Sequence, residues 1–324
     1  MKTKIKKKIQ KATLPSVADI ITKTYKRTPA VAKQIIDSVN KWAADRGLTS
    51  IIPVIYAMLE QENGFDPAGS DGLMQVTKTA IKQVVACYGF DASGNVGDID
   101  ANIHCGIYYL HHCLCDSGGS VMPAVKAYNG GGDANYISNV GKHLSNYTTD
   151  SALIGAFHNG KAYKVPEGIQ GCAGIWLQQD KLTSLKANPS AADKGDSAVT
   201  GVWTGTNPFD VDIFQLVVKF RFGKITKEVN VPTIKANSKQ SIKTTINIGA
   251  VTKADQHTLT ATVRAVDSSC GSGSKTVKAT FTVKEEKKTV LLRRKDGVEE
   301  HYHVSNNDPK YAAEFGIPVD TTWA

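Results

Sequence analysis

The spacing of apolar residues changes once along this chain, and that change limits the fold more than any other feature. Up to about residue 147, apolar side chains recur at helical intervals, as in Val31, Ile35, Ile36, Val39 and Trp42. Beyond about residue 151, Thr, Val and Gly take over and the period falls to two. Leu216, Val218, Phe220 and Phe222 alternate in this way, as do Leu259, Ala261 and Val263, and Val277, Ala279, Phe281 and Val283. A period near 3.6 buries one side of a helix, whereas a period of two buries one face of a strand. A helical unit followed by antiparallel strands is therefore expected, and several strands between Gly, Asn, Ser and Pro clusters suggest a β-sandwich.

Local signals sharpen this reading. Thr28-Pro29 is a helix start, with Thr as N-cap and Pro at the first helical position, and Gly47 ends that helix. A second helix follows Ser50 and runs to Glu62. It is apolar nearly all round, which predicts burial, and Asn63-Gly64 stops it. Further helices are expected at 77–87, 98–115, 120–128 and 133–146. Asn159-Gly160 and Asp296-Gly297 read as two-residue hairpin turns. The second would set Arg294 opposite Glu299 and Arg293 opposite Glu300 in a C-terminal hairpin from Thr289 to Val304.

The 324 residues suffice for two domains. A net charge of +9 favours an anionic partner without choosing among nucleic acid, lipid and wall polymer. No zinc-finger or RNA-recognition signature is present, so no specific nucleic-acid partner is expected. No apolar run reaches the roughly 18–20 residues of a membrane span. The Lys-rich start, Met1 to Lys11, is followed by Pro15-Ser16 rather than an apolar stretch, and reads as a basic tail without a secretory signal. Without a signal, Cys87, Cys105, Cys113, Cys115, Cys172 and Cys270 default to reduced thiols, although a bond from Cys113 or Cys115 to Cys87 stays open. His104, Cys105, His111, His112, Cys113 and Cys115 are spaced too widely for a compact zinc site, so no metal or other cofactor is expected.

The chemistry concentrates in Glu60-Gln61-Glu62-Asn63-Gly64-Phe65-Asp66-Pro67, followed by Gly72-Leu73-Met74-Gln75. A carboxyl at the end of a greasy helix is held towards its protonated form by burial and by the negative end of the helix dipole. Such a group can act as general acid on a glycosidic oxygen. Two further pieces lie downstream. One is Asn102-Ile103 with Gly106 and Tyr109-Leu110. The other is Ala127-Tyr128-Asn129-Gly130-Gly131, with Tyr136 after it.

In this order, the three pieces resemble the lytic transglycosylase and goose-type lysozyme superfamily over about residues 45–147. The resemblance implies Glu62 as catalytic acid/base. It implies Met74 and Gln75 as lining of the saccharide groove, with Ser70 standing in for a serine often found nearby. It implies Tyr128 and Asn129 as sugar contacts and Tyr136 as a hydrogen-bond partner of the glutamate. Asn102 is expected to pack and cap within its helix, and Glu60, on another face, to be exposed or structural. Residues 178–285 weakly resemble immunoglobulin-like adhesion modules of the CARDB type.

The expected organisation is a multi-domain α+β chain. A basic tail (1–14) leads into a mainly α-helical lysozyme-like domain (15–150) and a linker with a short hairpin (151–177). An immunoglobulin-like β-sandwich (178–285) and a C-terminal hairpin and tail (286–324) follow. The implied substrate is the peptidoglycan glycan strand, cut between N-acetylmuramic acid and N-acetylglucosamine. Goose-type lysozymes carry an acidic residue directly after the Gly-Leu-Met-Gln-Val stretch, where this chain has Thr77. Lacking an obvious second carboxylate, the chain reads as a lytic transglycosylase leaving 1,6-anhydro ends rather than a hydrolytic muramidase. A glycan-binding virion protein without catalysis is the rival from another class. Basic character and a β-rich appendage suggest a bacteriophage protein, virion-borne or released at lysis, with other virion proteins as partners of the β-domain.

Overall fold

In the computed structural model, the described residues are 14–166, 168–188, 190–193, 198–247, 256–271, 273–284, 288–293 and 299–304. The basic tail before Leu14 and the Asp296-Gly297 turn lie outside them. The helical part comprises α1 (Val17–Asp19), a π turn (Ile20–Thr24), α2 (Pro29–Asp45), α3 (Ile52–Asn63) and α4 (Lys78–Tyr88). It continues with α5 (Ile99–Asp116), α6 (Val121–Tyr128), α7 (Tyr136–Leu144), α8 (Ser151–Asn159) and α9 (Ala173–Gln178).

The ends of these helices follow local chemistry. The Thr28 hydroxyl accepts from the Val31 amide with Pro29 at the first position. Thr77 caps α4 by accepting from the Ala80 amide, and Asp98 caps α5 by accepting from Ala101. Thr77, where the resemblance looked for an acid, is thus a helix cap. Gly64 ends α3 in the left-handed conformation at φ 61°. α5 is the central element, with Asn102 to Tyr108 and Leu110 to Leu114 buried. α3, buried from Val54 to Glu60, belongs to the same core and packs on α7.

The strands form two principal sheets. One has the order β1 (Thr183–Asn188), β3 (Ala198–Asn207), β6 (Ser238–Asn247), all antiparallel. The other has the order β2 (Ala191–Asp193), β8 (Ser274–Lys284), β7 (Gln256–Ala265), β4 (Leu216–Phe222), β5 (Ile225–Val231). Only the β2–β8 pairing there is parallel. The sheets share one core in which Val199, Trp203 and Ile246 meet Val218, Phe220, Leu259, Val263 and Phe281. β9 (Lys288–Arg293) and β10 (Glu299–Val304) form a separate hairpin.

Four expectations are corrected. Asn159-Gly160 is not a hairpin turn: Asn159 ends helix α8 and Gly160 caps it at φ 63°. An Asn-Gly pair serves either purpose because both need left-handed backbone. Residues 151–177 accordingly hold α8 and α9 rather than a linker hairpin; Lys164 makes only an isolated bridge to Ser120. In the terminal hairpin Glu299 pairs with Arg293 and Glu300 with Leu292, one position from the expected register. Lastly, four cysteines are not free thiols. Cys87 bonds Cys270 across 183 residues, and Cys115 bonds Cys172 across 57.

The first disulfide joins α4 to the β-rich part. Around it, Gln83 donates to the Ser269 hydroxyl, and the Tyr88 ring meets Phe214 edge-on at 6.1 Å. Arg46, fully buried, pairs with Asp45, donates to the Asp212 carbonyl and lies over the rings of Tyr108 and Phe214. These contacts hold the helices and the sandwich together.

Candidate active site

Glu62 stands in the last turn of α3, one residue before the helix ends. The Tyr136 hydroxyl, from the first residue of α7, donates to its Oε1 at 2.5 Å. Among the described residues, Oε2 has no protein partner. Burial pushes the Glu62 carboxyl up to about 7, against a smaller downward pull from the Tyr136 bond. Desolvation penalises the anion and a donated hydrogen bond favours it, so the two oppose each other. A carboxyl poised there is near half-protonated at neutral pH and can both give and take a proton.

The Gly-Leu-Met-Gln turn is fixed from three sides. Asn63 donates to the carbonyls of Asp66 (2.6 Å) and Gly72 (2.8 Å) and accepts from the Asp66 amide, closing the loop after α3. Asn102, 1% exposed, accepts from the Met74 amide at 2.8 Å and donates to the carbonyls of Asp71 and Val96. Tyr128 donates to the Met74 carbonyl at 2.8 Å. Gly72 must be glycine, since at φ 71° a Cβ would lie 2.2 Å from Asn102 Nδ2. Gly106 is equally constrained, because a Cβ there would lie 2.4 Å from Met74 Sδ. The Asn102/Gly106/Tyr109 pattern on α5 thereby acquires a physical meaning. Asn102 holds the turn's backbone, Gly106 leaves room for Met74, and Tyr109 packs on Tyr128 at 5.2 Å.

The structure places the expected residues unevenly. Glu62, Gln75 and Asn129 are half-buried, Tyr136 and Tyr128 are buried, and Ser70 is exposed. Gln75, strained at φ 47°, donates to the Gly72 carbonyl. Asn129 donates to the Asp133 carbonyl. Met74 is fully buried against α5 and shapes the turn instead of lining a groove. Asn102 does not cap its own helix, a task that Asp98 performs. Glu60 is not exposed. Its side chain is 5% accessible and accepts hydrogen bonds from Tyr25 and Tyr147, with His143 Nδ1 3.1 Å from Oε1. None of those three partners carried a sequence signal, since they come from segments 35, 87 and 83 positions away that only folding brings together.

The Cys/His run on α5 is built into the core. His104 lies between Trp42 at 3.5 Å and Phe90 at 3.7 Å, and burial pushes it down to about 4. His111 bridges the Tyr88 hydroxyl and the Gln170 carbonyl. It lies with Cys115 and Cys172 in a group compact enough for a cation, but those two sulfurs are bonded to each other.

Residues 38–148 match the family described as the Transglycosylase SLT domain. That span includes Glu62, the Gly72–Gln75 turn, Asn102, Tyr128 and Tyr136. No curated protein matches the chain. Among solved structures, an alkylpurine DNA glycosylase of Pseudomonas fluorescens, bound to DNA containing an abasic site analog, aligns over 83% of this chain and 96% of its own. Its identity is 11% and its TM-score 0.22, a level that bears on neither fold nor function. The helical part of this chain is thus similar to the peptidoglycan-directed domains of the lytic transglycosylase and lysozyme-like superfamily.

Proposed function

We propose that the chain cleaves the β-1,4 bond between N-acetylmuramic acid and N-acetylglucosamine in peptidoglycan as a lytic transglycosylase, with Glu62 as the single acid/base. The observation that carries this reading is the buried Glu62 carboxyl, poised near 7 and gripped at one oxygen by Tyr136. Protonated Glu62 gives its proton to the glycosidic oxygen as the bond to C1 breaks. The muramic acid 6-hydroxyl then closes onto C1, and the Glu62 carboxylate takes the hydroxyl proton. The product carries a 1,6-anhydro end, and the enzyme returns to its starting protonation state.

Hydrolysis by inversion needs a second carboxylate to activate water. Three acids lie nearest in sequence. Glu60 is engaged on another face of α3, and Asp66 pairs with Arg27 at 3.5 Å. Asp71 is exposed on the turn and keeps the hydrolytic reading in view. Mass spectrometry of the glycan ends decides between the two. Anhydro ends are expected; reducing N-acetylmuramic acid ends, lost in Asp71→Asn, would replace the transglycosylase with a muramidase.

The β-rich part is assigned targeting or assembly rather than chemistry. Its strand order, with a three-stranded sheet facing a five-stranded one and a short strand running parallel to β8, supports an immunoglobulin-like sandwich. Two disulfides fit work in an oxidising compartment. A virion-borne or lysis-released enzyme, reaching the wall from outside the cytoplasm or at its end, accommodates them.

A further inference from the structure

Glu60 is the one buried carboxylate of the catalytic helix that the proposed reaction does not use. Two positions before Glu62, it points roughly 200° away around the helix axis. Its surroundings are saturated with donors. Tyr25 donates to Oε1 at 2.6 Å, Tyr147 to Oε2 at 2.6 Å, and His143 Nδ1 lies 3.1 Å from Oε1. Burial and the adjacent carboxylate push both tyrosine hydroxyls well above their ordinary range, so they remain donors.

The three partners come from two regions of the chain. Tyr25 follows the π turn before α2, His143 lies in α7, and Tyr147 lies just beyond α7. Tyr25 also packs edge-on against Phe65 at 5.4 Å, and its ring lies 2.9 Å from where a Cβ on Gly64 would stand. The cluster therefore surrounds the end of α3 where Glu62 sits. α7 is the connecting element. Tyr136 and His143 are seven residues apart, two helical turns, and so share one face. That face grips α3 twice, through Tyr136 on Glu62 and through His143 on Glu60.

We propose that Glu60 is a positioning residue for the proton donor: through His143 and Tyr147 it holds α7 in place, and α7 in turn holds the Tyr136 hydroxyl on Glu62. This inference rests on the reading of Glu62 as the acid/base. The titratable groups facing Glu62 are Tyr136 from α7 and Tyr128 from α6. Those facing Glu60 are Tyr25, His143 and Tyr147. Loosening α7 removes a hydrogen bond that favours the Glu62 anion, so Glu62 should hold its proton to higher pH.

The test uses the full chain with Glu60→Gln, His143→Ala and Tyr136→Phe, singly and with the first two each combined with the third. His143 is partly exposed, so its removal tests the link without leaving a large buried void. Two readouts are followed. One is the alkaline limb of turnover on purified peptidoglycan. The other is the Glu62 carboxyl titration by carbon NMR of glutamate-labelled protein, assigned by its loss in Glu62→Gln. Glu60→Gln and His143→Ala should move both upward by about half a pH unit or more. Tyr136→Phe should move them by roughly one to two pH units, the share expected of a hydrogen bond to a charged group. In the Tyr136→Phe background neither variant should add a further change. Lower thermal stability with an unmoved Glu62 titration would overturn the proposal and leave Glu60 a stability residue only. A change that persists without the Tyr136 hydroxyl would overturn it too. Turnover in Glu62→Gln would instead refute the assignment of the acid itself.

Discussion

Glu62→Gln should remove activity and stabilise the protein, and the second effect is the sharper test of how the site is built. The Glu62 carboxyl is pushed from 4.5 to about 7 by burial. Between those values the folded state binds a proton that the unfolded chain has released. Stability therefore falls as pH rises through this window, by about 1.4 kcal/mol per pH unit while the two states differ by a full proton. Over the whole window the loss is about 3 kcal/mol, present in full above pH 7 and absent below 4.5. Gln is nearly isosteric, can still accept from Tyr136, and has no charge to desolvate. Urea unfolding of both proteins with disulfides intact measures the difference. The curves should nearly coincide at about pH 4, and the variant should be more stable at about pH 8.5 by up to about 3 kcal/mol. Activity on cell walls should fall by about 10²–10⁴-fold or more, since one group serves both proton transfers. Equal or lower stability of the variant at the alkaline pH would mean that the carboxyl is not desolvated, and the physical basis for a proton donor there would fail.

Asn102→Ala strips partners from the Met74 amide and the Asp71 and Val96 carbonyls, and at about 1–3 kcal/mol per buried group it should destabilise the helical part clearly in thermal unfolding. Gly106→Ala puts a methyl group against the Met74 side chain; overpacking of about 1–3 kcal/mol should lower the melting temperature, and displacement of the turn should depress turnover. Cys270→Ser opens the link between α4 and the β-rich part and should cost about 2–4 kcal/mol, read as a lower melting temperature in oxidising buffer that disappears when wild type and variant are compared under reducing conditions.

Much of this architecture is legible in the sequence because it depends on neighbours. Thr28-Pro29 starts a helix, Asn63-Gly64 ends one, and the strands at 216–222 and 256–265 announce themselves by alternation. Burial of α3, and with it the raised carboxyl of Glu62, follows from a helix with no polar side. What failed was whatever needs a distant partner. The same Asn-Gly pair can turn a hairpin or cap a helix, and Asn159-Gly160 was resolved by the packing of α8 against α7. Cysteines 183 positions apart have no local signal for each other. The sequence leaves Glu60 open between exposed and structural, because its three partners belong to other segments. Met74 looked like a groove residue because only the folded chain shows Gly106 opening a space for it. The sequence alone determined which helix carries Glu62 and why burial raises its carboxyl. The tertiary structure decided what surrounds that acid, because hydrogen bonds to a buried carboxylate form wherever the folded backbone brings a donor within about 3 Å, whatever the separation along the chain.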